Sequence, residues 1–418
     1  MTLLWLWSTV LISGVLWYIF HPLMVRFLSD VDFVHVQFLL SLMNILWVVA
    51  GVSLFVQQEL LSMSGDTTKQ ANFVYVIQQK FWWLIPYLLA ICLVLAWVIS
   101  YSFELTNFWI VLLTSVGLIT WLYNSVLWWI LRAHSKYTQI NILWIFWQLT
   151  KLLIAWWFVI LGRGVRWAMW WIVLAWVLGV GLSSYFVYQQ YHLLLKDIQE
   201  SPWDLLQEFD QDFRMYIKSF IYTLLVVFLV TMFVHIDIFM VSKVLDTELA
   251  AIYSSLSLVA KFIFFICAAL EIYFYNNIVW EQQINSSHLY KPLIIYILLV
   301  LCGLVGIYLF GPRVLDVFKP WLSVYIRYLY VLYVYFVIMW MVSLYTKVLI
   351  AWKQYYILRY LSAMILYVIW WLLYRAKDIA DILMMLLTGW WVLLVLVCVY
   401  VYIWHQKHIL EHSISQDT

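Results

Sequence analysis

Charged side chains are scarce in this chain. Asp, Glu, Lys and Arg make up 11% of its 418 residues, against about a quarter in a soluble domain. A globular protein of this length could bury a core, but so few charges cannot cover its surface, so a water-soluble fold is excluded. Net charge is nearly absent as well, at +2, and nothing here attracts a nucleic acid. Cysteine is rare. Cys92, Cys267, Cys302 and Cys398 all lie in apolar runs without metal-ligand spacing, which makes them buried thiols rather than a disulfide framework or a metal centre. There is no G-x-x-x-x-G-K-[ST] loop, which argues against a primary pump, and no H-E-x-x-H or related metal motif. The first apolar run, residues 3–27, is too long for a signal h-region and lacks a basic n-region and an A-x-A-like site. It is expected to remain as a first span.

What the chain does have is hydrophobic length. Apolar and aromatic residues make up 67% of it, gathered into runs of about 20 or more, enough to cross a bilayer as helix. The runs are continuous rather than alternating, which predicts helices and not a barrel. Twelve spans are predicted: 3–27, 36–56, 81–102, 108–131, 140–161, 167–188, 216–239, 250–275, 291–311, 324–350, 354–374 and 380–404. With the N-terminus inside, twelve Lys and Arg fall in cytoplasmic segments and nine outside. The positive-inside rule thus places both termini in the cytoplasm. Lys151 and Lys261 are left within spans.

One long polar connection interrupts the series at mid-chain. Residues 189–214, QQYHLLLKDIQESPWDLLQEFDQDFR, hold six acidic and three basic side chains, His192 included. An interfacial amphipathic helix pair is expected there, dividing the chain into a six-helix lobe over residues 1–190, a cytoplasmic linker over 191–214 and a second six-helix lobe over 215–418. The halves share a motif. From His21 the chain reads HPLMVRFLSDVDFVHVQFLLSL, and from Asp237 it reads DIFMVSKVLDTELAAIYSSLSL. Met24–Val25 falls on Met240–Val241, Leu28 on Leu245 and Ser41–Leu42 on Ser257–Leu258, at an offset of about 216 residues with one insertion on each side. Two copies in the same orientation predict a parallel repeat about an axis along the membrane normal, hence two like lobes around a central cavity. In each turn, Ser29/Asp30 and Asp246/Thr247 precede a helix, and Asp32 and Glu248 are placed to cap it or complement its dipole.

The run DIFMVSKVLDTELAAIYSSLSLVAKFIFFICAAL, beginning at Asp237, resembles the seventh and eighth helices of Wzx-type polysaccharide flippases. These belong to the multidrug/oligosaccharidyl-lipid/polysaccharide exporter (MOP) superfamily. The resemblance lies in an Asp, an apolar stretch ending in Leu, an acidic turn, small residues before a Tyr, and a Ser-rich helix carrying a Lys. The segment from His21 is similar to the opening helix pair of that family, with Val34 where Gly is common; Ala251 likewise replaces the Gly before Tyr253. The resemblance implies a non-enzymatic, alternating-access transporter of the inner membrane. It would move polyprenyl-diphosphate-linked oligosaccharide across the bilayer, with a polysaccharide polymerase as partner. No cofactor is implied, and coupling to Na+ or H+ is left open.

Ionisable residues inside a membrane are functional candidates by default, because a charge at the bilayer centre costs at least about 2.5–3.5 kcal/mol. Lys261 leads. Ser254, Ser257 and Lys261 stand at i, i+3 and i+7, a polar stripe on one helical face. Lys151 follows, with Asn141 and Gln148 sharing a face and Lys151 one turn beyond. An ammonium suits a diphosphate as a point charge; the competing readings are snorkelling and pairing with a nearby carboxylate. Arg26 is an interfacial residue or a further substrate contact. Glu271 reads as a coupling carboxylate, a salt-bridge partner or an interfacial group. The stripes Gly117/Thr120/Asn124 and Ser41/Asn44 suggest close helix packing and interhelical hydrogen bonds. For Asp237 the resemblance implies a cation-binding carboxylate, but the eleventh span supplies no second carboxylate. The alternative is an Asp near the interface, hydrogen-bonded or paired with Lys243. Two rival functions stand beside the flippase. One is a membrane glycosyltransferase using a polyprenyl-phosphate donor, suggested by Asp30 and Asp32. The other is a multidrug antiporter of the same superfamily.

Overall fold

The computed structural model describes residues 12, 15–16, 19–22, 24–46, 67–102, 108–133, 136–161, 164–196, 202–262, 287–351 and 356–416. Among them there is no strand. Helical residues 24–27 precede α1 (Asp30–Leu46), α2 (Thr67–Ser102), α3 (Phe108–Ala133), α4 (Tyr137–Ile160), α5 (Gly164–Lys196), α6 (Pro202–Val244) and α7 (247–262). There follow α8 (Ser287–Phe318), a 3-10 turn (Leu322–Tyr325), α9 (Ile326–Ala351), α10 (Ile357–Tyr374) and α11 (Ile379–Gln416). In order, each expected span overlaps one of these helical stretches among the described residues. The fold is all-α, as a bilayer requires of apolar chain whose backbone must bond to itself. Among the described residues, five stretches are long and apolar enough to cross a membrane: Asn72–Val98, Ile221–Val244, Ile294–Phe318, Leu322–Thr346 and Ile379–Ile403. The outer face of α8 shows Ile294, Leu298, Leu301, Val305 and Tyr308 exposed, a surface suited to acyl chains rather than water. This is a multi-pass membrane protein.

The polar connection differs from its expected form. It is not a separate helix pair: α5 runs on to Lys196, and α6 begins at Pro202 and continues unbroken through the seventh span to Val244. Proline at a first helical position lacks only an N–H that would be unbonded anyway. The ends of the two flanking spans thus absorb most of the predicted linker.

The chain divides into two compact units, Met1–Phe228 and Leu229–Thr418, with the boundary inside α6. In the first unit α3 and α4 pack along α5, and α2 against α3. Leu127, Ile130 and Leu131 of α3 meet Ile140 and Leu143 of α4 and Val187 of α5 in its core. Gly117 explains the close approach of α3 and α5, because a Cβ there would lie 2.6 Å from Cζ3 of Trp176. Further along the same helices, Trp128 Nε1 donates to Ser183 Oγ at 3.0 Å and Ser183 Oγ donates to Asn124 Oδ1 at 2.5 Å. Small and polar residues therefore clasp helices here, the use expected of that stripe. In the second unit α9 packs along α11, α10 against α11, and α8 against α9 and the 3-10 turn. Tyr296 of α8 stacks on Trp340 of α9 with ring centroids 4.1 Å apart, and its hydroxyl donates to the carbonyl of Val337.

Candidate functional site

The polar centre of the second unit is built by one hairpin. α6 ends at Val244, and Asp246 starts the next helix: its Oδ1 accepts the backbone N–H of Leu249 at 2.9 Å, satisfying a donor that the first turn leaves open. The equivalent turn in the first unit does the same, with Ser29 Oγ accepting the N–H of Asp32 at 3.1 Å and donating to Asp32 Oδ2 at 3.0 Å. Asp32 and Asp246 are thus helix starters, as their positions suggested, and Asp30 opens α1.

Asp237 and Tyr253 are equidistant in sequence from Leu245, so the antiparallel hairpin sets them level. Tyr253, Ser257 and Lys261 follow at i, i+4 and i+8 on one face of α7. Tyr253 Oη donates to Asp237 Oδ2 at 3.2 Å, Ser257 Oγ donates to the same oxygen at 3.0 Å, and Lys261 Nζ donates to Oδ1 at 3.3 Å. The pair is sealed, with Asp237 0% and Lys261 3% exposed. Around it stands an aromatic wall. Lys261 Nζ lies 5.1 Å from the centroid of Phe336, within cation–π range. Tyr335 packs against Phe336 and Trp390, and Trp390 meets Phe233 edge-on at 4.3 Å. Tyr335 Oη donates to the carbonyl of Phe233 at 3.4 Å.

The electrostatics follow from this geometry. A lone carboxylate or ammonium in an apolar interior is prohibitive, whereas a pair with further hydrogen bonds is tolerable. Asp237 has three donors. Lys261 has three protons to give, and Asp237 is its hydrogen-bond acceptor among the described residues. The site thus holds a buried ammonium against a carboxylate that also accepts from two hydroxyls. Both Asp237 oxygens accept hydrogen bonds from side chains of the same unit, and the described residues contain no group of three or more His, Cys, Asp or Glu arranged to hold a metal.

Of the residues named from the sequence, the structure unites Asp237, Ser257 and Lys261. Asp237 pairs with Lys261 and not with Lys243, which lies nearer in sequence but exposed beside the turn. Its partner is set by the fold of the hairpin. Ser254 is buried on α7 but is not among the donors to Asp237. Asn141, buried, and Gln148, half-buried with Oε1 unpartnered among the described residues, lie on α4 in the other unit. Lys151 is on α4 too, its side chain outside the described set, and Glu271 lies outside the described residues altogether. Arg26 is exposed beside the first turn. The stripe reading overlooked Tyr253, although its i+4 and i+8 spacing to Ser257 and Lys261 marks the same face. Phe336, Tyr335 and Trp390 carried no local signal.

No protein-family model and no curated protein matches the chain, but solved structures do. A MATE transporter crystallised in the straight conformation superposes with a TM-score of 0.71 at 15% identity, covering 100% of this chain and 97% of that one. An inward-facing multidrug resistance MATE family transporter of the MOP superfamily gives 0.68 at 15% identity, covering 96% and 94%. A MOP superfamily transporter from Pyrococcus furiosus, described as having a binding pocket of reverse polarity, gives 0.70 at 14% identity, covering 98% and 95%. The chain therefore has the all-helical fold of the MATE transporters of the MOP superfamily.

Proposed function

We propose that this protein is an alternating-access transporter that moves polyprenyl-diphosphate-linked oligosaccharide across the cytoplasmic membrane for surface polysaccharide synthesis. The observation that carries this reading is Lys261, an ammonium buried in the interior of a MOP-type fold, with one of its three protons given to Asp237. A diphosphate is the ligand chemistry that such a point charge serves. Lys151, Asn141, Gln148 and Arg26 are further candidate contacts for the anionic head and its sugars, and Ser254 and Ser257 precede Lys261 on α7. Glu271 is retained as the candidate for coupling to H+, a role that leaves the protein indifferent to Na+. Both termini face the cytoplasm, the bilayer is the working environment, and a polysaccharide polymerase is the expected partner.

A second reading, multidrug export, is favoured by the multidrug resistance MATE transporter among the similar structures. The P. furiosus transporter, whose reversed pocket polarity was taken to suggest a different function, shows that the fold alone does not select the cargo. The test is reconstitution into liposomes with a fluorescent diphosphate-linked oligosaccharide, followed by its accessibility to an external quencher. Protein-dependent exchange between leaflets, reduced in Lys261→Gln, is expected. No exchange, with efflux of cationic dyes instead, would replace this reading by the second.

A further inference from the structure

A buried carboxylate needs a counter-charge, and here the chain supplies one covalently. Lys261 Nζ stands 3.3 Å from Asp237 Oδ1, while Tyr253 and Ser257 fill Oδ2. A metal cation approaching this carboxylate meets an ammonium already beside it. The same ammonium is also the buried cation beside Asp237, and a direct contact with a phosphate oxygen requires it to loosen its hold on that carboxylate. We infer that Lys261 is a built-in counter-cation, so that Asp237 admits no metal ion and instead competes with an anionic ligand for the ammonium. Asp237 thereby sets the affinity of the site. The inference rests on the transport reading only in taking the ligand to be a diphosphate.

Two consequences follow from this geometry. A site whose binding-competent form is a minor fraction binds more weakly by that fraction. With the pair closed most of the time, removal of the carboxylate therefore tightens anion binding by roughly tenfold or more. In addition, Na+ neither strengthens binding nor stabilises the protein, since a ligand stabilises a fold only by binding it. The competition needs the carboxylate and the ammonium alone. Tyr253 and Ser257 orient the carboxylate. Phe336 contributes a ring face that attracts the ammonium whether or not Asp237 holds it.

The experiment uses the full chain purified in detergent, with farnesyl diphosphate as the probe and binding read by microscale thermophoresis in NaCl and in choline chloride. The expected result is a Kd for Asp237→Asn at least about tenfold below that of the unaltered protein, loss of binding in Lys261→Met, and Kd and melting temperature indifferent to Na+. The neutral double variant Asp237→Asn/Lys261→Met is expected to fold and not to bind. If Lys261→Met loses binding while Asp237→Asn binds no tighter, the competition is overturned and the transport reading stands. If the unaltered protein does not bind the probe, or Lys261→Met binds it equally well, the anion site of that reading falls, and this inference with it. A Na+-specific rise in melting temperature of the unaltered protein overturns the built-in counter-cation. That arm needs no variant, so it decides the matter even if Asp237→Asn does not fold.

Discussion

Replacing Lys261 by Met leaves the Asp237 carboxylate buried with two hydroxyl donors and no counter-charge. Unit charges 3.3 Å apart attract by about 5 kcal/mol at an effective dielectric of about 20. Several kcal/mol of desolvation per ion offset this, so the intact pair stabilises the fold little over a neutral one. Breaking it is different, because one desolvated charge then stands alone, and a loss of about 3–5 kcal/mol is expected. Asp237→Asn should lose a similar amount through the stranded ammonium. The double variant should be more stable than either single variant, giving a coupling of at least about 2 kcal/mol in a double-mutant cycle. Equilibrium unfolding in mixed micelles, followed through the 29 tryptophans, measures all four proteins. Single variants that lose less than about 1 kcal/mol each, or losses that simply add, would refute the picture of a sealed, mutually dependent pair.

Other expectations can be checked with the same preparations. Gly117→Ala places a methyl 2.6 Å from the Trp176 ring and should cost about 1–3 kcal/mol by forcing α3 and α5 apart; unchanged unfolding would mean the indole yields freely. Asn124→Ala removes the acceptor of Ser183, which itself accepts from Trp128. A loss of about 1–3 kcal/mol is expected, and a silent substitution would show that the clasp is incidental. Asp246→Ala removes the cap of α7, worth about 1 kcal/mol. Hydrogen exchange at Leu249 and Ala250 should quicken about fivefold, with no change there if water caps the helix equally well.

Much of this protein is legible in one dimension because bilayer physics acts along the sequence. Hydrophobic length is a local property, so the scarcity of charge and the run lengths led to spans that the described helices overlap in order. Caps are local too: Ser29 and Asp246 bond within three residues of themselves. The stripe of Ser257 and Lys261 follows from the 3.6-residue turn alone. Where two local signals competed, however, the sequence misled. The charged connection suggested separate interfacial helices, yet α6 simply runs through it, because nothing between Pro202 and Val244 breaks a helix.

Tertiary structure decided which side chains meet. Lys243 is nearer to Asp237 along the chain than Lys261 is, but six residues turn through about 240° of a helix. That puts Lys243 on another face, whereas the hairpin at Leu245–Asp246 folds Lys261 back onto the carboxylate. The aromatic wall came from α9 and α11, roughly 75 to 130 residues beyond Lys261, and no periodicity within α7 could name Phe336 or Trp390. Sequence by itself determined that this chain spans a membrane and placed Lys261 in an apolar run on the same helical face as Ser257. Only the fold determined that the lysine already holds a carboxylate, since a face can be read along one helix but a partner across two depends on how they pack.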